Sequence, residues 1–188
     1  MDLYLIRHGE SDANTRNEHT GWEDSFLSER GKEQAAKAGE NLKGLHFDRV
    51  YVSITKRARE TAEIALPGYE YIFTDQIREV SVGSLAGKTV AECEKAMGDF
   101  YKERHAKFDF SAWGGESLEQ LYIRTGEFLK GLETLPEATV CAAVCHEGAI
   151  YGMICYALKA DFPRTNIHVE NSHYVRLKFV KGKWTLEL

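Results

Sequence analysis

Two histidines and two arginines occupy positions in this sequence that would suit the handling of a phosphoryl group. Arg7 and His8 come directly after a short apolar run, and His146 follows a second such run. Arg57 lies just after a third. A neutral imidazole can attack phosphorus and hold the group as a phosphoramidate, while guanidinium groups bind phosphoryl oxygens at two points and keep their charge. Together the four residues indicate phosphoryl transfer through a histidine.

Each of these residues, taken alone, has an ordinary structural interpretation. A single histidine at a strand end is most often a hydrogen-bonded polar residue, and Arg7 alone could be a surface ion-pair partner. Gly9 and Gly148, however, follow closely after the two histidines. Glycine lets the backbone approach a bound ligand. The recurrence of histidine and glycine after two separate apolar runs therefore favours the functional interpretation.

The pattern of apolar residues predicts the elements that must position these side chains. Short apolar runs predict buried strands, and apolar residues at helical spacing predict helices between them. Strands that alternate with helices form a layered α/β domain, and such parallel sheets bind ligands at the carboxyl ends of their strands. We therefore expect a three-layer α/β/α sandwich with a mainly parallel central sheet, in a single domain covering 1–188. The predicted strands lie at 3–6, 50–52, 70–73 and 140–145, the helices at 28–42, 55–65, 89–97, 117–132 and 148–158, and a terminal hairpin at 175–186.

Composition and charge narrow the class of protein. The chain has 188 residues, of which 43% are hydrophobic, so it can build one sizeable core. Its formal net charge of −5 argues against a general nucleic-acid-binding protein, which would need a basic face, but a few arginines could still hold a small anion. We see no Cys-x-x-Cys pair, no signal peptide and no apolar stretch of about 18 residues. We therefore expect a cytoplasmic protein with reduced cysteines and no membrane or nucleic-acid partner.

Seven sequence blocks occur in an order that is typical of a known family. The first contains Arg7, His8 and Gly9, and the sixth contains His146 and Gly148. Together the blocks resemble those of the histidine phosphatase superfamily, also called the phosphoglycerate-mutase-like family, and they extend over nearly the whole chain. The seven blocks are 5–14, 27–35, 53–62, 78–87, 115–124, 145–148 and 171–172.

The resemblance implies a chemical role for five residues. His8 would attack phosphorus and become phosphohistidine. Arg7, Arg57 and His146 would hold the equatorial oxygens, where negative charge needs stabilisation. Glu79 would protonate the leaving oxygen and then, as a carboxylate, activate water. No cofactor is implied, and no His-x-x-x-His or His-Glu-x-x-His spacing occurs, so we predict no metal site.

Four further residues near these motifs are candidates for binding the substrate. Ser11 and Asn14 could add hydrogen bonds to the phosphoryl group, and Gly148 would allow close backbone approach. Glu147 is a second carboxylate beside the site and an alternative candidate for the general acid. A carboxylate at that position is also favoured by the dipole of the helix that begins there.

The stretch 100–113 interleaves basic and aromatic residues and has two interpretations. In the first it is a lid whose Lys102 and Arg104 bind the non-phosphate part of the substrate. In the second it is a helix end with its aromatic side chains in the core and its basic side chains in solvent. The sequence alone leaves both interpretations open.

The short stretch between Glu79 and Glu116 bears on the reaction. It lacks the inserted segments of longer mutases, so the chain resembles the short phosphatase branch, which includes α-ribazole phosphatase and broad-specificity phosphatases. We expect a metal-independent phosphomonoester hydrolase acting on a small phosphorylated metabolite. The alternatives are a cofactor-dependent phosphoglycerate-type mutase and a non-catalytic module that binds a phosphorylated ligand. The terminal hairpin could also pair across a homodimer.

Overall fold

Apolar strands and amphipathic helices alternate along most of the chain. The computed structural model describes residues 1–159 and 167–187, and every strand and helix expected from the sequence is present within those ranges. In chain order the strands are β1 (Asp2–Arg7), β2 (Arg49–Ser53), β3 (Tyr71–Thr74), β4 (Val140–Cys145), β5 (Tyr174–Val180) and β6 (Lys183–Glu187). The helices are α1 (Asp12–Thr15), α2 (Glu29–Asn41), α3 (Lys56–Ala65), α4 (Val90–Ala106), α5 (Leu118–Leu132) and α6 (Glu147–Leu158).

The central sheet is parallel over four of the six strands that the described residues form. The strand order is β3-β2-β4-β1-β5-β6, and β4 pairs in parallel with both β1 and β2. The last two strands form the expected antiparallel hairpin, with Lys181 and Gly182 at positive φ in its turn. Because the carboxyl ends of parallel strands meet at one edge, β1, β2 and β4 bring the residues that follow them to a common place.

Alternating residues of β1 explain how two helix layers cover the sheet. Leu3 and Leu5 belong to a core cluster with residues of α5 and α6, whereas Tyr4 and Ile6 belong to a second cluster with residues of α2 and α3. Successive side chains of a strand point to opposite faces of the sheet, so both faces are buried. The predicted three-layer α/β/α sandwich is thereby confirmed. Leu5 has no exposed surface, and we expect its replacement by alanine to cost about 2–5 kcal/mol.

Helix α4 is longer than the sequence pattern predicts, and it is broken in the middle. The predicted helix ended at 97, but helical structure resumes and continues to Ala106. Gly98 interrupts the regular backbone with a φ of 55°, a region that glycine enters without steric penalty. The capping box of Thr89 and Glu92 begins the helix as predicted.

The aromatic residues of 100–113 lie mainly in a third core cluster. Tyr101, Phe108 and Phe110 are buried there against residues of the loop 78–87 and of α6. Phe100, in contrast, is more than half exposed, at 54%. Most of this stretch is therefore core, which agrees with the second of the two interpretations.

Further expectations from the sequence concern the membrane, the oligomeric state and the number of domains. Among residues 1–159 and 167–187, no helix combines the length and the apolar character needed to cross a membrane. Strand β6 lies at an outer edge of the sheet, where the expected homodimer would place its hairpin. That dimer and the single domain over 1–188 stay predictions.

Candidate active site

The carboxyl ends of β1 and β4 bring the two predicted histidines together. Arg7 and Cys145 are paired in the sheet, and the backbone N–H of His8 donates to the carbonyl oxygen of Cys145 at 3.0 Å. The imidazole rings of His8 and His146 consequently lie 5.0 Å apart, centre to centre, at an angle of 60°. Both residues are buried. The two motifs that are far apart in the sequence thus form one site.

The His8 ring is oriented by its own backbone. Its Nδ1 lies 2.7 Å from the carbonyl oxygen of Gly9, which assigns the proton to Nδ1 and leaves the lone pair on Nε2. Burial lowers the pKa of His8 well below its usual value, and the charges of Arg57 and Arg7 lower it further. His8 is therefore a neutral imidazole whose Nε2 can act as a nucleophile.

Gly9 is held in a space that no other residue would fit. A Cβ atom there would lie 2.4 Å from the carbonyl oxygen of Gly31 in α2. The Gly9 N–H donates to Thr61 Oγ1 at 3.0 Å, and this hydroxyl donates to the carbonyl oxygen of Arg57 at 2.7 Å. The turn that carries His8 therefore packs closely against α2 and is hydrogen-bonded to α3.

Arg57 is a buried cation at the start of α3. Its Nη2 donates to the carbonyl oxygen of Gly21 at 2.8 Å, and its Nη1 donates to that of Glu23 at 2.9 Å. Only 2% of the residue is exposed, and burial lowers its pKa to about 10. At neutral pH the side chain keeps its charge, and a guanidinium with five N–H donors has others left for an anion.

His146 is oriented in the opposite way to His8. Its Nε2 lies 2.9 Å from Ser53 Oγ and 3.2 Å from Thr55 Oγ1. Ser53 is the last residue of β2, and Thr55 follows it. Its Nδ1 is buried and has no hydrogen-bond partner among the described residues. Burial lowers the pKa of His146 well below its usual value, and Arg57 lowers it further. A buried polar atom without a partner costs about 1–3 kcal/mol, so a ligand atom that pairs with Nδ1 would be favoured.

Arg7 connects the nucleophile strand to the start of α6. Its Nη1 donates to the carbonyl oxygen of Val169 at 2.6 Å and lies 3.3 Å from Glu147 Oε2. Its Nε is buried and, within the described ranges, has no hydrogen-bond partner. Glu147 Oε1 in turn lies 2.8 Å from Nδ1 of the exposed His168. Arg7 thus has a buried N–H available to an anion while it is ion-paired to a carboxylate.

Glu79 lies against the N-terminal end of α6. Its Oε1 accepts from the backbone N–H groups of Val80 at 2.9 Å and Gly148 at 3.1 Å. Burial raises the pKa of Glu79, an effect that the hydrogen bond from Val80 and the charge of Arg57 oppose only in part. A Cβ atom at position 148 would lie 2.3 Å from Glu79 Oε1, so glycine is required for this approach. A carboxyl group that holds its proton to higher pH is suited to general acid catalysis.

The loop that carries Glu79 is held by an ion pair that sequence reasoning did not assign to it. Arg124 in α5 donates to the carbonyl oxygens of Gln76, Arg78 and Glu79 at 2.9–3.1 Å and pairs with both oxygens of Glu116 at 2.8 Å. In the sequence, Arg124 was marked only by its spacing from Gly115, Glu116 and Ser117 in the fifth block, 115–124. That spacing gave no indication of which carbonyl groups the guanidinium would reach.

The indole of Trp22 also fastens this loop. Its Nε1 donates to the carbonyl oxygen of Glu79 at 2.8 Å, and the guanidinium of Arg78 lies 3.7 Å from the centre of its ring. Trp22 stands between Gly21 and Glu23, whose carbonyl oxygens hold Arg57. The loop 21–23 therefore links the acid candidate to one of the cations.

Two of the predicted substrate-binding residues form a helix cap. Ser11 is buried, and it caps α1 by accepting from the backbone N–H of Asn14 at 3.3 Å. The Asn14 side chain accepts in return from the Ser11 backbone N–H at 3.0 Å. A role of either residue in substrate binding stays a prediction.

The two basic candidates, Lys102 and Arg104, form ion pairs with residues close to them in the sequence. Lys102 is exposed and lies 3.9 Å from Asp99, and Arg104 lies 2.5 Å from Asp109. Neither makes a contact with Arg7, His8, Arg57, Glu79 or His146 among those the described residues show. Their role in a lid is untested.

The arrangement provides the parts of a phosphoryl-transfer site. It has a neutral nucleophilic nitrogen, two guanidinium groups, a second imidazole with an unpaired nitrogen, and a carboxyl group with a raised pKa. Across residues 1–159 and 167–187, no three histidine, cysteine, aspartate or glutamate side chains are grouped so that they could hold a metal ion. The guanidinium groups of Arg7 and Arg57 are able to stabilise a phosphoryl oxygen.

Comparison with known proteins finds relatives that act on phosphate esters. A 2,3-bisphosphoglycerate-dependent phosphoglycerate mutase from Streptococcus thermophilus is 39% identical over 106 residues, which cover 53% of this chain and 46% of the mutase. This chain thus spans about half the length of the curated relatives that it matches. A mycobacterial glucosyl-3-phosphoglycerate phosphatase, solved in complex with VO3, has a TM-score of 0.88 at 26% identity, with coverage of 100% of this chain and 97% of that chain.

A second solved structure shows a likeness of fold. The α-ribazole phosphatase from Shigella flexneri has a TM-score of 0.87 at 22% identity, covering 100% of this chain and 95% of that chain. The family model of the histidine phosphatase superfamily (branch 1) matches residues 3–188. Because that match extends over nearly the whole sequence, the chain belongs to the histidine phosphatase superfamily.

Proposed function

We propose that this protein is a metal-independent phosphomonoesterase that carries the phosphoryl group on Nε2 of His8. The observation that supports this most strongly is the complementary orientation of two neutral imidazoles, His8 with Nε2 available and His146 with an Nδ1 that no described residue pairs with. Arg7 and Arg57 supply positive charge close to both rings. A dianionic phosphoryl group placed among these side chains would accept hydrogen bonds from the guanidinium groups and present its phosphorus to Nε2 of His8.

In the first step, Nε2 of His8 attacks phosphorus in line with the leaving oxygen. The N–P bond forms as the P–O bond to the leaving group breaks, and the proton of Glu79 passes to that oxygen. Nδ1 of His8 keeps its proton and its bond to Gly9, which disperses the positive charge that develops on the ring. Arg7, Arg57 and the second imidazole stabilise the phosphoryl oxygens.

In the second step, water replaces the leaving alcohol. Glu79, now a carboxylate, takes a proton from the water as its oxygen attacks phosphorus, and the P–N bond of phosphohistidine breaks. Inorganic phosphate leaves, and both His8 and Glu79 return to their starting protonation states. One carboxyl group can serve both steps because its pKa is raised by burial.

A mutase is the second candidate, favoured by the 39% identity to a phosphoglycerate mutase over half of the chain. Both reactions would use the same phosphohistidine, and they differ in whether water or a second substrate receives the group. We prefer hydrolysis, with a small phosphorylated metabolite as substrate. The phosphatase likeness over the whole chain at 26% identity supports this preference.

Phosphate release from a panel of phosphomonoesters tests the proposal. An aryl phosphate, 3-phosphoglycerate, sugar phosphates and α-ribazole phosphate would be offered with chelator present. We expect wild type and the control His46→Ala, a change of an exposed histidine, to release phosphate and His8→Ala to release none. Loss of activity in chelator would contradict the metal-independent mechanism. Transfer to phosphoglycerate without phosphate release would favour the mutase.

A further inference from the structure

Glu147 places a carboxylate directly against one of the two cations that would bind phosphate. Its Oε2 lies 3.3 Å from Arg7 Nη1, and its Oε1 lies 2.8 Å from His168 Nδ1. The side chains of Arg7 and Glu147 are only 12% and 17% exposed. A carboxylate exposed to solvent could interact with the dipole of α6 equally well. The dipole therefore does not explain why this carboxylate forms a largely buried ion pair with Arg7.

The charge balance of the site changes when a phosphate ester binds. Arg7 and Arg57 contribute two positive charges, Glu147 contributes one negative charge, both imidazoles are neutral, and Glu79 carries its proton for the first step. A dianionic ester would leave one negative charge uncompensated. Placing an unpaired charge in a largely buried site is costly, so a ligand that brings its own positive charge would be favoured.

Glu147 is positioned to receive such a charge. Arg7 can keep this ion pair while its buried Nε binds a phosphoryl oxygen, because the pair uses Nη1 and Oε2 of Glu147. Among residues 1–159 and 167–187, Oε1 is paired with His168 alone, whose side chain is 65% exposed and can return to water without leaving a buried polar atom unpaired. Oε1 of Glu147 is then available to a cationic group of the ligand in place of His168.

We propose that Glu147 forms an anionic subsite for an ammonium group on the leaving alcohol. The preferred substrates would then be phosphate monoesters of amino alcohols. The inference rests on the proposed function, since it assumes that the phosphoryl group occupies the site between Arg7 and Arg57. It adds the substrate class, which the phosphoryl site alone does not select.

The competing account is that Glu147 only orients Arg7. A residue that merely positions Arg7 would affect every phosphomonoester equally, whatever its leaving group. A subsite for ammonium would affect only the esters that carry one. The ratio of kcat/KM for matched esters therefore separates the two accounts.

The test compares 2-aminoethyl and 3-aminopropyl phosphate with their hydroxyl analogues, 2-hydroxyethyl and 3-hydroxypropyl phosphate. We expect wild type to prefer at least one amino ester by about tenfold or more in kcat/KM, and Glu147→Gln to lose that preference. The control Glu170→Gln removes the same charge from a neighbouring exposed carboxylate that pairs with His173, and we expect it to keep the preference. Thermal unfolding would check that both variants are folded.

Two results would overturn the inference while the proposed function stood. One is equal activity of wild type on amino and hydroxyl esters, and the other is an equal loss on both in Glu147→Gln. If no ester is hydrolysed, including an aryl phosphate, the proposed function fails instead. Calorimetric titration of wild type and Glu147→Gln with the same esters would then decide, since the subsite requires tighter binding of an amino ester that depends on Glu147.

Discussion

The two histidines of the site share a residue type and a location but are held in opposite ways. His8 is fixed through Nδ1 by the carbonyl oxygen of Gly9 and presents Nε2. His146 is fixed through Nε2 by the hydroxyls of Ser53 and Thr55 and presents Nδ1. The backbone thus fixes the tautomer of one ring, whereas side-chain hydroxyls, which can donate or accept, hold the other. The hydrogen-bond partner of each ring, more than the residue type, assigns nucleophile and oxygen-binding roles.

The largest expected effect separates these two roles. We expect His8→Ala to lower kcat/KM by about 10⁴-fold or more, since the nucleophile is lost. His146→Ala should cost about 10²–10³-fold, since it removes one group that stabilises the phosphoryl oxygens. Steady-state kinetics on an aryl phosphate would measure both. A larger loss in His146→Ala would reverse the assignment.

A second prediction concerns the proton that the leaving group needs. Glu79→Gln should lower kcat/KM by about 10²–10⁴-fold for an alkyl phosphate and far less for an aryl phosphate, whose leaving oxygen needs little protonation. Because burial raises the pKa of Glu79, wild type should keep its alkyl activity to higher pH than an ordinary carboxyl group would allow, and lose it as pH passes that raised pKa. The variant should lack this decline. If Glu147→Gln shows the leaving-group dependence instead, Glu147 is the acid.

A third prediction concerns the ion pair of Arg124 and Glu116, which holds the loop that carries Glu79. Arg124→Lys should lose the two-point contact with Glu116 and loosen the loop, with a loss of about 10- to 100-fold in kcat/KM on alkyl phosphates. The loss should shrink on aryl phosphates and should not add to that of Glu79→Gln, because both changes act through one proton transfer. Arg30→Lys, at an exposed arginine, serves as the control. Equal losses on both ester types would show that Arg124 acts on stability alone.

The smallest expected effect comes from releasing His146. Ser53→Ala with Thr55→Val removes the hydroxyls that hold Nε2, and we expect kcat/KM to fall by about 2- to 10-fold. Inhibition by vanadate should weaken by a similar factor, since the ring would no longer be held toward the phosphoryl site. Removing the hydroxyl beside Gly9 in Thr61→Val would be less informative, because Thr61 also donates to the carbonyl oxygen of Arg57. Unchanged vanadate binding would mean that the ring is oriented by packing.

The fold and the proximity of His8 to His146 could be predicted from the sequence, because both follow from the pattern of apolar residues. The strands before His8 and His146 are buried runs, and parallel pairing places their ends side by side. The free nitrogen of each ring could not be predicted, since it depends on contacts made across the sheet. Ser53 and Thr55 lie close to Arg57 in sequence, yet nothing in their spacing shows that they reach the far histidine.

Three other features were not assigned from the sequence. The hydrogen bonds from Arg124 to the loop of Glu79 join residues that lie 45 to 48 positions apart in the sequence, and no local pattern specifies them. The break at Gly98 followed by further helix overrode the predicted end of α4. Ser11 and Asn14 match the family block, but their reciprocal capping bonds were visible only in the folded chain.

The most direct test of the account is to identify the phosphorylated atom. Glu79→Gln incubated with an aryl phosphate should form the intermediate and hydrolyse it slowly, because the first step needs little acid and the second needs the base. Peptide mapping at alkaline pH and phosphorus NMR would locate the group. The account predicts an acid-labile phosphate on Nε2 of His8. Phosphate on His146, on Nδ1 of His8, or on no residue at all would contradict it.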